Sequence, residues 1–166
     1  MVNFYEPCKA RLTLAGGAQV GVDVETLYPS EGEVKITLRP AKTANFALKL
    51  RVPGWSKGIA LAVNGIQEKI SAAPGTYALV KRAWKDGHVV TVRMELGLRL
   101  ITGTHGNSGK VALACGPLIL AFDDALNSGL KPAQFAIPAA DAAALLLNKE
   151  RVPEADRTWP GDTVFT

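Results

Sequence analysis

An all-β fold, an antiparallel β-sandwich of jelly-roll type with one short helix near the C-terminus, is what this sequence predicts. Three observations predict it. Short runs in which apolar and polar residues alternate recur along the chain, the period of a half-buried strand. Turn residues separate these runs, from a store of 16 Gly and 10 Pro in 166 residues. Only one stretch, near the end, has the composition of a helix.

Taken in order, Arg11-Leu12-Thr13-Leu14 is strand-like and Gly16-Gly17 turns the chain. Val20, Val22 and Val24 then share one face of a second run, and Val34, Ile36 and Leu38 one face of a third. Phe46, Leu48, Leu50 and Val52 alternate with Ala47, Lys49 and Arg51, and Pro53-Gly54 ends that strand. Ile59, Leu61 and Val63 precede Asn64-Gly65 and the run Ile66 to Ile70. Asn-Gly between alternating runs is a hairpin signal, because both positions need positive φ. Tyr77 to Arg82 and Val90 to Leu96 flank a tight turn at Lys85-Asp86-Gly87. After the Gly-rich loop from Gly103 to Gly109, the runs Val111–Cys115 and Leu118–Phe122 read as buried central strands. Residues 138–147 read as the short helix, and the segment from Trp159 as a turn entering one more strand.

A length of 166 residues suits a single domain spanning 1–166, with enough chain to bury its own core. The net charge of +4 is scattered, Lys81-Arg82 being the only adjacent basic pair, and the aromatics do not interleave with it; this argues against nucleic acid. Cys8 and Cys115 stand too far apart for a metal knuckle or a redox pair and read as two buried thiols, with a disulfide left open. The N-terminus has no basic-then-apolar signal peptide, and no apolar run reaches the length of a bilayer; the chain reads as soluble, with its compartment open.

The search for chemistry yields no catalytic, cofactor-binding or metal-binding residue. His88 and His105 lack a second ligand at metal spacing and read as solvated turn histidines. The loop Gly103–Gly109 precedes a strand-like run, whereas a phosphate cradle needs a helix N-terminus. Carboxylates at Glu31, Glu33, Asp86, Asp123 and Asp124 lie in loops, and spacing alone does not bring two of them to one cleft. Trp55, Trp84 and Trp159 are large amphipathic rings; the first two stand at strand ends, where they close the core, while an exposed ring would suit the apolar face of a sugar.

Several motifs occur together and in order. They are Tyr28-Pro29-Ser30 with Gly32-Glu33-Val34, Phe46-Ala47-Leu48-Lys49-Leu50-Arg51-Val52-Pro53-Gly54-Trp55, and Val63-Asn64-Gly65. Tyr77 with Arg82-Ala83-Trp84-Lys85-Asp86-Gly87-His88, and Ala114-Cys115-Gly116-Pro117-Leu118, complete the set. From about Phe4 to Phe122 the chain resembles the region after the catalytic barrel in the β-L-arabinofuranosidase-like glycoside hydrolases, the glycoside hydrolase family 127-like proteins also known as DUF1680. The resemblance implies a non-catalytic accessory β-sandwich, excised from a larger enzyme, that packs on and supports an (α/α)6 barrel. It places the family's zinc, cysteine nucleophile and glutamate acid/base in that barrel, so it implies no cofactor in this chain. It makes Arg51, Trp55, Arg82 and Trp84 candidates for contact with a neighbouring domain or a sugar, and predicts an apolar or mixed patch on one face. The alternative is a carbohydrate-binding module for plant-type or arabinose-containing glycans.

Overall fold

The strands fall where the alternation puts them. The computed structural model describes residues 1–123, 129, 131 and 150–153, and the backbone of 149 and 163–165. It divides into two units, Met1–Leu96 and Gly97–Thr166. The expected helix over 138–147 lies outside the described residues.

The first unit contains β1 (Cys8–Thr13), β2 (Gln19–Thr26), β3 (Glu33–Pro40), β4 (Ala44–Arg51), β5 (Ile59–Val63), β6 (Ile66–Glu68), β7 (Tyr77–Trp84) and β8 (His88–Met94). Six of these form an antiparallel sheet in the order β1-β2-β3-β8-β5-β6, and β4 pairs with β7 in a second sheet. An isolated parallel bridge from Val2 to Leu50 extends that second sheet at β4. Both sheets feed one core. Val34, Ile36, Leu38, Leu61, Val63, Val90 and Val92 come from the large sheet, and Leu48, Leu50, Ala78, Val80 and Trp84 from the small one. This is the all-β sandwich the alternation predicts, with the β-branched residues concentrated in the half-buried strands that suit them.

The connections are specific. Asn64 and Gly65 take φ values of 51° and 80°, making the two-residue hairpin between β5 and β6. The Asn64 side chain also accepts a hydrogen bond from the Val89 amide at 2.9 Å, so the turn is tied to β8. The turn at Lys85–Gly87 joins strands of different sheets, since β7 pairs with β4 while β8 pairs with β3 and β5. It is a corner of the sandwich. Gly32 stands where a Cβ would fall inside contact distance of the Met94 carbonyl oxygen, and its own carbonyl accepts from the Met94 amide at 2.8 Å.

All six residues of β1 are exposed, including Cys8. The expected buried thiol at Cys8 is therefore corrected. Cys8 sits on the edge strand of the six-stranded sheet, in register with Val24, and is exposed there.

In the second unit β9 (Leu98–Thr102), β10 (Val111–Cys115) and β11 (Leu118–Leu120) form an antiparallel sheet in the order β11-β10-β9. Only β10 is central, and Cys115 on it is buried. The run at Leu118 is an edge strand with Ile119 57% exposed, not the second central strand its apolar sequence suggests. The Gly-rich segment connects β9 to β10 through a 3₁₀ turn, His105–Asn107, and leads into a strand. Farther on, β12 (Lys149–Arg151) pairs with β13 (Thr163–Phe165), the late strand expected after Trp159.

Candidate functional site

The four candidate residues fall at opposite ends of the small sheet. Arg51 closes β4 and Trp55 follows it, whereas Arg82 and Trp84 lie at the end of β7, where Trp84 registers with Ala44 at the start of β4. Eight residues of extended chain separate the two ends by roughly 20–25 Å.

At the Trp84 end both candidate side chains have partners. The Trp84 ring is fully buried, and its indole N–H donates to the Phe46 carbonyl oxygen at 3.0 Å. Phe46 lies 5.7 Å away, ring to ring, and His88 meets the indole edge-on at 6.0 Å. The Arg82 guanidinium sits 5.8 Å from the Trp84 ring centroid and forms a 3.0 Å ion pair with Glu68. Trp84 therefore closes the core, as its position before the corner suggests, and Arg82 lies over it. His88 is half-buried, and its Nδ1 accepts from the Lys85 amide at 3.4 Å, so it is less solvated than a bare turn histidine.

The Arg51 end collects aromatic rings. The Tyr5 hydroxyl donates to the Arg51 carbonyl oxygen at 2.6 Å, and the Tyr77 hydroxyl to Asn3 Oδ1 at 2.8 Å. Tyr5 and Tyr28 meet edge to face at 6.1 Å. Burial, and then the nearby Tyr28, hold the Tyr5 phenol well above its ordinary pKa. Burial also raises Tyr28, partly offset by a side-chain hydrogen bond with Trp55. A turn held by Ser56, whose amide and hydroxyl both donate to the Pro53 carbonyl, fixes Trp55, which is half-buried against the core. The Arg51 side chain is exposed and makes no ion pair among the described residues.

Tyr28 and Tyr77 stand in the motifs quoted above without a site role, and Tyr5 was not singled out by the sequence. The Val2–β4 bridge, which has no sequence signal of its own, brings the segment carrying Tyr5 to this end. Among the described residues no group of three His, Cys, Asp or Glu side chains is placed to hold a metal, and no helix is long and apolar enough to cross a membrane. A depression of about 500 Å³ beside the β5–β6 hairpin is lined by Ile59, Ala60, Gln67, Glu68, Lys69 and Ile70.

The family model described as "Beta-L-arabinofuranosidase, GH127 middle domain" matches residues 1–96, the whole of the first unit. A comparison with curated proteins finds no match. Among solved structures, a GH127 β-L-arabinofuranosidase from Geobacillus stearothermophilus T6 is similar at 31% identity with a TM-score of 0.65, over 71% of this chain and 19% of that one. A structure described as a glycoside hydrolase is 33% identical with a TM-score of 0.60, over 67% of this chain and 19% of its own. A GH127 β-arabinofuranosidase is 26% identical with a TM-score of 0.62, over 71% of this chain and 21% of its own. The matched part thus spans about a fifth of each of these relatives.

Proposed function

The chain belongs to the GH127 β-L-arabinofuranosidase family, and from that premise we propose that it is a non-catalytic accessory β-sandwich that packs against and supports the catalytic (α/α)6 barrel of a glycoside hydrolase. The observation that carries this reading is the middle-domain match over the whole first unit, a position that implies further domains in the same chain. Such a domain acts by burying surface of its neighbour, which holds the neighbour's loops in place without contributing a reacting group.

The test compares the longer enzyme with a version from which this domain is deleted, alongside the 166-residue chain alone. The reading expects loss of thermal stability on deletion and no hydrolysis of an aryl β-L-arabinofuranoside by the isolated chain. Turnover by the isolated chain would overturn it.

The half-buried Trp55, beside Tyr28 and the exposed Arg51, favours a second reading as a carbohydrate-binding surface. In an NMR titration with arabinose-containing oligosaccharides, that reading expects saturable shifts of the Trp55 indole N–H and a silent Trp84. No shift at millimolar sugar removes it.

A further inference from the structure

The two outer faces of the sandwich treat charge differently. On the large sheet, Lys35 pairs with Glu25 at 3.1 Å, Arg39 with Asp23 at 3.2 Å and Arg93 with Glu33 at 2.7 Å. These cross-strand pairs offset three of the cations on that face, leaving Lys9 and Arg11 of the edge strand β1 without an ion pair among the described residues. On the small sheet, the outward positions include Lys49, Arg51 and Lys81 and no acidic residue. None of the three makes an ion pair among the described residues.

Register sets their spacing. Lys49 lies opposite Leu79, and Lys81 lies opposite Ala47. Lys49 and Arg51 are two residues apart on one strand, and Lys49 and Lys81 are diagonal neighbours, so adjacent backbone positions in this row stand roughly 7 Å apart. Like charges at that spacing repel, and nothing in the sheet offsets them. At the centre of the row Leu79 is 52% exposed, opposite Lys49, between Tyr77 and Lys81 on its own strand, and diagonal to the short side chain of Ala47. An apolar centre with a charged rim is the anatomy of an interface, and an uncompensated basic rim selects an acidic partner.

We propose that the outer face of the β4–β7 sheet docks on a carboxylate-bearing surface of the catalytic domain, with Leu79 at the centre and Lys49, Arg51 and Lys81 on the rim. This rests on the accessory-domain reading and names the face it uses. Lysine acetylation footprinting, read by mass spectrometry, tests it on the 166-residue chain and on the longer hydrolase in parallel. Lys49 and Lys81 are expected to react freely in the chain alone and about tenfold more slowly in the longer enzyme, while Lys35 is unchanged. Zero-length carbodiimide cross-links from these two lysines are expected to run to Asp or Glu of the helical domain. The double charge reversal Lys49→Glu with Lys81→Glu, at exposed positions, is expected to lower the melting temperature of the longer enzyme and leave that of the chain alone unchanged.

Undiminished rates at Lys49 and Lys81, with protection elsewhere on the chain, would overturn the face assignment while the accessory reading stands. No protection anywhere on the chain would remove both. Protection of the two lysines by added polygalacturonate but not by the catalytic domain would also overturn the proposal, since the face would then hold an anionic glycan.

Discussion

The Tyr5 hydroxyl donates to the Arg51 carbonyl oxygen across 46 positions of sequence, fastening the N-terminal segment to the end of β4. The Val2 amide and carbonyl, bonded to Lys49 and Arg51, make the same attachment through the backbone. Replacing Tyr5 by Phe keeps the ring and removes the donor, leaving that carbonyl without its side-chain partner. Tyr5→Phe is expected to cost about 1–2 kcal/mol, read as a lower urea midpoint at unchanged slope.

The raised pKa values of Tyr5 and Tyr28 set an alkaline limit. Folding favours the neutral phenols, so the folded chain binds more protons than the unfolded one above the ordinary tyrosine pKa of 10.0. Their contribution is complete below pH 10 and falls as pH climbs beyond it. Urea midpoints between pH 9 and 11 are expected to decline in the wild type and to decline less steeply in Tyr5→Phe.

Asn64 performs two tasks that substitution separates. It adopts positive φ in the hairpin, and its side chain accepts from the Val89 amide. Asn64→Ala loses both, at about 2 kcal/mol in total. Asn64→Gly keeps the turn and loses the acceptor, at about 1 kcal/mol, with faster hydrogen exchange at the Val89 amide as the marker.

Gly32 has no room for a methyl group against the Met94 carbonyl. Gly32→Ala is expected to push β3 from β8 and cost about 1–3 kcal/mol, with chemical-shift changes centred on Met94.

Much of the sandwich was legible because alternation and turn chemistry act locally. Leu48 and Leu50 are buried and Lys49 and Arg51 exposed, as their period requires, and Asn64-Gly65 turns as its φ preference dictates. What local rules do not carry is which strand lies beside which. The corner at Lys85–Gly87 resembles a hairpin turn in sequence, yet its strands belong to different sheets. The exposure of β1 and of Ile119 follows from edge position, which alternation does not encode. At the candidate site, Trp84 at a strand end was readable as a core-closing ring. The row of Lys49, Arg51 and Lys81 needed the β4–β7 register to join cations from two strands.

The open edge at β1 has a consequence for how copies of this domain meet. Among the described residues β1 has no partner on its outer edge, and such an edge invites a second copy to add there in two-fold antiparallel fashion. Such a join pairs residues of like parity, so Lys9 and Arg11 decide the outcome. Whichever symmetric register centres on residues 9 to 11, Lys9 faces Lys9 or Arg11, or Arg11 faces its own twin. Each alignment sets cation against cation, and the edge polices itself at low ionic strength. Concentrated salt shortens the reach of that repulsion, so the same edge that keeps copies apart in dilute buffer becomes adhesive in brine.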